Sequence, residues 1–181
     1  MKNRNKSLNI EKIKEIFTGL NKVFKAMQKE NIIHRDIKLK NLLVKYIDEN
    51  NKDKFIVKLG DYGIGKFLNN GNSISGLKGT NQTVAPEIIL QKIEKYESSV
   101  DIFSLGIVLY QLSHHLNHPF NNNDSKRIIT YYNYYDEDNF NIEFDKSINN
   151  KDFKDLLGKM LKLKPENRLT WNQYFNHPFF Q

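Results

Sequence analysis

An acid, a lysine and an amide stand close together in the run His34-Arg35-Asp36-Ile37-Lys38-Leu39-Lys40-Asn41. Asp36 can accept the proton of a hydroxyl group, and Lys38 can neutralise negative charge two residues further on. Asn41 and the later Asp61 offer the hard oxygen ligands that magnesium prefers. Phosphoryl transfer needs a nucleophile held in line, metal ions on the phosphates and positive charge near the transferring group. These residue types therefore suit phosphoryl transfer.

The order of three segments makes this interpretation specific. An acid and a lysine two residues apart, taken alone, belong more often to a solvated surface loop. Here the run that ends at Asn41 is followed by Asp61-Tyr62-Gly63 and by Ala85-Pro86-Glu87. In that order the segments resemble the catalytic loop, the magnesium-binding motif and the end of the activation segment of eukaryotic protein kinases. Lys38 resembles the serine/threonine branch of that family.

The resemblance implies a reaction and the residues that carry it. The expected reaction is transfer of the γ-phosphate of ATP to a Ser or Thr hydroxyl of a protein substrate. Asp36 would orient the nucleophile or act as its base, and Lys38 would contact the phosphate. Gly79-Thr80 begins what resembles the substrate-docking end of the activation segment, where Thr80 would steady Asp36 and Lys38 by hydrogen bonding.

The resemblance also implies a site for ATP and Mg²⁺. Asn41 and Asp61 would be the metal ligands. The nucleotide would be held by the same two residues together with Lys38 and Leu43. Both the cofactor and the metal are thus expected in a working form of the protein.

Three further residues are implied to hold the site together. Glu87, in Ala-Pro-Glu, is expected to pair with Arg168 although the two are distant in sequence. Asp101 resembles the acid of the central buried helix that holds the backbone of the catalytic loop. These residues are expected to be structural rather than catalytic.

A switch by phosphorylation is expected at Arg35. In the resembled family an arginine at this place commonly binds a phosphate on the activation segment. The segment 61–87 contains Ser73 and Ser75 among glycines and asparagines. A phosphate adds about −1.5 to −2 charge, which Arg35 can bind with paired donors. We expect an activating kinase to modify Ser75, or less readily Ser73; the alternative is that both serines are ordinary loop residues.

Two patterns predict the elements that position the site. Apolar residues recur at helical spacing before His34, which predicts one long helix ending near Glu30; they are Ile10, Ile13, Ile16, Phe17, Leu20, Val23, Phe24 and Met27. Leu42 to Tyr46 and Phe55 to Leu59 are short β-like runs on either side of a polar turn. They predict a hairpin directly after Asn41.

Helices are predicted over much of the remaining chain. Ser98 or Ser99 can cap a helix that runs through Leu112, and others are expected near 124–132, 150–161 and 170–175. The fold class is therefore α+β and mainly helical. The same set of elements resembles the C-terminal lobe of a protein kinase, with its small β-hairpin.

The chain is expected to be one domain. Its 181 residues can bury a core, and the resemblance extends over almost all of them. Residues 1–181 are therefore interpreted as a partial kinase domain, from the helix before the catalytic loop to the closing helix. Nothing before His34 resembles the glycine loop or the strand lysine of the N-terminal lobe. That lobe is expected to be absent here and supplied by other sequence or by a partner.

Two functions of different class remain open. In the first, the chain is part of a working kinase, which the retention of Asp36, Lys38, Asn41 and Asp61 favours. In the second, it is a non-catalytic binding module or scaffold without a competent ATP site, which the missing lobe favours.

Composition narrows the classes of partner. The formal charge is +7, but the lysines are scattered among acids, so a solvated surface is favoured over binding to nucleic acid. No apolar run is long enough to span a bilayer. Cysteine is absent, which indicates an intracellular, cytoplasmic setting. His114, His115 and His118 lie close enough to suggest a metal cluster, but with no cysteine nearby a structural role is favoured.

Overall fold

The computed structural model describes residues 7–51, 53–61, 66–67, 81–90, 97–120, 132 and 141–181. Within these ranges the fold is mainly helical with two small antiparallel sheets. The helices are α1 (Ile10–Lys29), α2 (Pro86–Ile89), α3 (Ser99–Ser113), α4 (Lys151–Met160) and α5 (Trp171–Phe175). The strands are β1 (Ile32–Ile33), β2 (Leu42–Tyr46), β3 (Phe55–Leu59) and β4 (Lys66–Phe67). The predicted α+β class, with more helix than strand, is confirmed for this part of the chain.

Helix α1 begins and ends where its sequence dictates. The side chain of Asn9 accepts a hydrogen bond from the backbone N–H of Lys12 at 2.7 Å and caps the N-terminus. The apolar stripe faces the core, and Phe17 and Phe24 are fully buried. Asn31 then takes a positive φ of 53° and turns the chain toward β1. The predicted long helix is confirmed, and it delivers the chain to His34.

Strands β2 and β3 form the predicted hairpin. Leu42 lies opposite Leu59 and Tyr46 opposite Phe55. The end of the hairpin near Leu59 reaches the core, whereas the part toward the turn leaves apolar side chains exposed. Strand β1 pairs separately with β4, Ile32 opposite Phe67. Since β2 follows Asn41 directly and β3 ends next to Gly60, the hairpin fixes both ends of the predicted metal site.

Helix α3 is the central element of the core. It is buried along nearly its whole length, including the polar residues Asp101 and Ser104. Gly106 is the point of closest approach to the end of α4: a Cβ added there would lie 2.9 Å from Cδ2 of Leu161. The predicted start of the helix is confirmed, but the predicted capping bond is not made. Ser98 occupies the N-cap position, but it has αR backbone angles and makes no side-chain capping bond.

The two C-terminal helices are capped by polar side chains. The Asn150 side chain accepts from the backbone N–H of Phe153 at 2.8 Å at the start of α4. Thr170 and Gln173 form a reciprocal capping box at the start of α5. Both helices are confirmed, each within one residue of the predicted start. The helix predicted over 124–132 lies almost wholly outside the described residues.

In the described ranges, no helix combines the length and the apolar character that crossing a membrane requires.

Candidate active site

A buried carboxylate holds the start of the His34–Asn41 segment. Asp101 on α3 accepts the backbone N–H of His34 at 2.7 Å and that of Arg35 at 2.8 Å, one on each oxygen. Asp101 has no exposed surface, and this burial raises its pKa to about 6 against the opposing effect of the two amide bonds. Arg35 itself has a left-handed backbone, φ 67°. The central helix therefore fixes the two residues that immediately precede Asp36.

The raised pKa of Asp101 predicts how the free energy of unfolding depends on pH. Its pKa is raised from 3.8 in the unfolded chain to about 6 in the folded one, so ionisation opposes folding. Its stabilising contribution is complete below pH 3.8 and is lost as the pH rises through 6. Relative to Asp101→Asn, wild type should lose about 2 kcal/mol of unfolding free energy between pH 4 and pH 7. Denaturant titrations at several pH values measure this difference, and a difference independent of pH would contradict it.

The ring of His34 joins this segment to the end of the hairpin. Nδ1 accepts the backbone N–H of Asp36 at 3.3 Å, so the proton resides on Nε2, which donates to the carbonyl of Gly60 at 3.1 Å. The side chain is completely buried, and burial lowers its pKa, which favours the neutral ring that this bonding requires. His34 was not among the residues singled out from the sequence. It connects the backbone of Asp36 to the residue before Asp61.

Asp36, Lys38 and Asn41 form one cluster. The Lys38 ammonium lies 2.7 Å from Oδ2 of Asp36. The Asn41 amide nitrogen donates to the same oxygen at 3.0 Å and to the backbone oxygen of Asp36 at 2.7 Å. Asn41 is buried, and the other two side chains are largely covered. The structure thus brings together three of the residues that the sequence predicted to act together.

Asn41 and Asp61 lie at the same end of the hairpin. Gly60 donates its backbone N–H to the carbonyl of Asn41 at 2.8 Å, which extends the β2–β3 ladder by one step. Asp61 follows directly, with an exposed side chain and a left-handed backbone, φ 60°. Because the Asn41 amide nitrogen is used on Asp36, its Oδ1 is the atom left to serve as a metal ligand. An amide oxygen and a carboxylate are donors that suit Mg²⁺.

Leu43 lies beside this end of the hairpin. Its side chain is 54% exposed, and its Cδ1 lies 2.8 Å from the position that a Cβ on Gly60 would take. An apolar side chain therefore borders the polar cluster, on the hairpin face that continues with Ile47 and Ile56.

Glu87 and Arg168 meet in the core as a bidentate pair. The two guanidinium–carboxylate distances are 2.7 and 3.0 Å. Arg168 also donates to the backbone oxygens of Ser99, Lys162 and Leu163. Its side chain has no exposed surface. The pair ties the start of α2 to α3 and to the turn before α5, and it is the pairing expected from the resemblance.

Several predicted residues lie outside the described part of the chain. These are Tyr62 and Gly63 of the magnesium motif, Ser73 and Ser75 of the expected switch, and Thr80. Their predicted roles remain predictions.

Two of the clustered histidines bond to the backbone rather than to each other. His114 stacks on Tyr110 with ring centroids 3.8 Å apart, and its Nε2 accepts the backbone N–H of Asp145 at 3.1 Å. His118 lies 2.7 Å from the carbonyl oxygen of Gln82. No group of metal-binding side chains is found among the residues that the structure describes. The rings of His114 and His118 thus contact the backbone through hydrogen bonds, and His118 was missed as a partner of the segment before Glu87.

Comparison with known proteins finds similarity to protein kinases. The family model described as protein kinase domain matches residues 1–180. The serine/threonine-protein kinase unc-51 of Caenorhabditis elegans is 30% identical over 176 residues, which are 96% of this chain and 20% of that protein. ATG1b of Arabidopsis thaliana, also a serine/threonine-protein kinase, is 32% identical over 154 residues, 85% of this chain and 20% of that protein.

A third relative extends the comparison to another kind of kinase. The meiosis-specific serine/threonine-protein kinase mek1 of Schizosaccharomyces pombe is 31% identical over 175 residues, 92% of this chain and 36% of that protein. The chain thus spans between 20% and 36% of the length of these three relatives.

Proposed function

The chain belongs to the protein kinase family, and its relatives are serine/threonine kinases; we propose that residues 1–181 form the C-terminal lobe of a catalytically active serine/threonine kinase domain. The observation that carries the proposal is the cluster of Asp36, Lys38 and Asn41. Both of its side-chain bonds to Asp36 fall on Oδ2. Oδ1 is therefore the oxygen that would accept a proton from a substrate hydroxyl.

In the proposed reaction the hydroxyl oxygen of a substrate Ser or Thr attacks the γ-phosphorus of ATP. A new O–P bond forms, the bond from the γ-phosphorus to the β,γ-bridging oxygen breaks, and ADP leaves. The hydroxyl proton passes to Asp36. Lys38 balances the charge of the transferring phosphoryl group from its position 2.7 Å from Asp36. Asp101 contributes by holding the backbone at His34 and Arg35.

Asn41 and Asp61 would hold Mg²⁺. Their oxygens suit it, and the hairpin brings the two residues to the same end through the bond between Gly60 and Asn41. When bound, the metal would neutralise charge on the phosphates of ATP. Leu43 would contribute apolar surface beside the nucleotide. ATP, Mg²⁺ and a protein substrate are thus the partners of the proposed site.

Regulation by phosphorylation is part of the same proposal. The backbone of Arg35 is fixed by Asp101, so a phosphate bound by its guanidinium would be coupled to the loop that carries Asp36. Ser75 is the proposed site of modification, with Ser73 as the second choice, by an activating kinase.

A scaffold without catalytic activity is the second candidate. The observation in its favour is the apolar face of the hairpin formed by Leu43, Ile47 and Ile56, whose side chains are between 43% and 67% exposed. On the opposite face Val44 and Tyr46 are each 52% exposed. Apolar patches of this kind mark interaction surfaces. The same surface is also compatible with an active kinase in which further protein covers it.

Phosphate transfer by the purified protein, expressed from its complete coding sequence, separates the two candidates. With γ-labelled ATP and Mg²⁺, label should enter peptides that contain Ser or Thr and should not enter matched peptides that contain only Tyr. Chelation of the metal should abolish the transfer. Absence of label from every peptide, in protein shown to be folded and treated with an activating kinase, would favour the scaffold.

A further inference from the structure

His118 makes two hydrogen bonds that define its tautomer. The residue follows α3, and its side chain is 2% exposed. Nδ1 accepts the backbone N–H of Phe120 at 3.3 Å. The ring proton of the neutral form therefore lies on Nε2, which donates to the carbonyl oxygen of Gln82 at 2.7 Å. This second bond joins two segments that are 36 residues apart in sequence.

Aromatic side chains pack against the His118 ring and connect it to α3. Phe120 contacts His118 with ring centroids 5.1 Å apart, and it stacks on the fully buried Phe103 of α3 at 6.2 Å. Burial lowers the pKa of His118 to about 4, so the ring stays neutral at physiological pH. Packed aromatic rings thus connect His118 to α3, and the His118 ring in turn bonds to the backbone at Gln82.

Gln82 lies in a segment that a kinase would use to dock its substrate. It belongs to the 3₁₀ turn Asn81–Thr83, which Val84 and Ala85 separate from α2. The C-terminal side of this segment is fixed by the two hydrogen bonds that Arg168 donates to the Glu87 carboxylate. The bond between His118 and the Gln82 carbonyl is a second attachment, and Gln82 lies five residues before Glu87 in the sequence. The two attachments, together with the burial of Thr83 and Ala85 between them, hold the course of this backbone.

We propose that His118 is a positioning residue for the protein substrate, acting through its bond to the Gln82 carbonyl. This inference rests on the proposed function and adds to it a determinant of peptide binding outside the Asp36 cluster. His118 holds the backbone at Gln82. The substrate residues next to the phosphorylated hydroxyl would lie against this backbone. Its loss should weaken peptide binding and leave ATP binding unchanged.

Two substitutions separate the bond to Gln82 from the bond to Phe120. In His118→Asn the amide oxygen takes the place of Nδ1 and can still accept from Phe120, but the side chain is too short to reach Gln82. In His118→Gln the amide nitrogen takes the place of Nε2 and keeps the bond to Gln82. A difference between the two variants therefore reports the Gln82 bond itself rather than general packing.

The experiment measures steady-state kinetics and amide hydrogen exchange on the full-length protein. His118→Asn should raise the KM for a peptide substrate by about threefold to tenfold, the range expected for one neutral hydrogen bond. The KM for ATP should not change. Exchange at the amides of 83–85 should be faster than in wild type. His118→Gln should restore most of both properties.

His115→Asn is the matched control. His115 is exposed on the same connecting segment and has a positive φ of 53°, which asparagine tolerates. Wild-type behaviour is expected of it in both measurements. Equal peptide KM values for His118→Asn and wild type, or equal effects of the Asn and Gln variants, would overturn the inference. If wild type transfers no phosphate the proposed function fails, and the exchange rates at 83–85 still decide whether His118 fixes this segment.

Discussion

Replacement of Arg168 by alanine is expected to lower the free energy of unfolding by about 3–5 kcal/mol. The change would leave the Glu87 carboxylate in the core without its two guanidinium bonds. It would also remove the donors to the backbone oxygens of Ser99, Lys162 and Leu163. Unpaired buried acceptors cost more than the bonds themselves contribute. Chemical denaturation followed by circular dichroism measures the loss.

Two companion variants define what the Arg168 result means. Arg168→Lys keeps the charge but cannot reproduce the planar fork, so it should recover only part of the loss. Lys159→Ala is the control, because Lys159 forms a half-exposed pair with Asp155 at 2.7 Å, and such surface pairs contribute at most about 1 kcal/mol. Equal effects of Arg168→Ala and Lys159→Ala would show that the buried pair does not stabilise the fold.

Asp36→Asn should lower kcat by between about a hundredfold and ten-thousandfold, the range that general acid–base groups contribute. The amide oxygen of the new side chain can still accept from Lys38 and Asn41 at the place of Oδ2. Its amide nitrogen then occupies the place of Oδ1, where it cannot accept a proton from the substrate. The fold should remain intact, and the KM for ATP should change little. Steady-state phosphorylation of a peptide containing a single serine measures the effect.

The control for Asp36 is Asp53→Asn, an exposed acid in the turn of the hairpin. This variant has the same change of charge and should retain wild-type kcat. If Asp36→Asn has the activity of wild type while its melting temperature is unchanged, Asp36 is neither the base nor the group that orients the nucleophile. The scaffold candidate would not be supported by that outcome, because activity would still be present.

Local patterns were sufficient to predict the elements that carry the site. Helix α1 and the hairpin follow from an apolar stripe and from β-like runs around a polar turn, and both are where these patterns place them. The starts of α4 and α5 shift by one residue because Asn150 and Thr170 are caps, which stand just outside the helix. At α3 the position of the cap was predicted correctly, because Ser98 is the N-cap residue, but its αR backbone angles go with the absence of the side-chain bond that a serine cap usually makes.

The site is predictable to the extent that its residues are close in sequence or fit a family pattern. Asp36, Lys38 and Asn41 lie within six positions, and the later motifs in family order, rather than their spacing alone, indicated that they act together. The contact between Glu87 and Arg168 joins residues 81 positions apart, and only the resemblance pointed to it. His34 and His118 escaped prediction because each bonds to a backbone carbonyl through the folded chain, and such a bond leaves no periodic pattern or spacing in the sequence.

The close approach at Gly106 has a consequence for how this sequence can vary. A Cβ at this position would lie within 3.1 Å of both Leu161 and Met160, which is closer than a methyl group can be placed without movement of its neighbours. The end of the Leu161 side chain can move, but the Cβ of Met160 is attached directly to the backbone of α4 and can yield only if the helix itself shifts. A smaller residue at 161 would therefore relieve only part of the crowding, so glycine at position 106 sets how closely the two helices can pack.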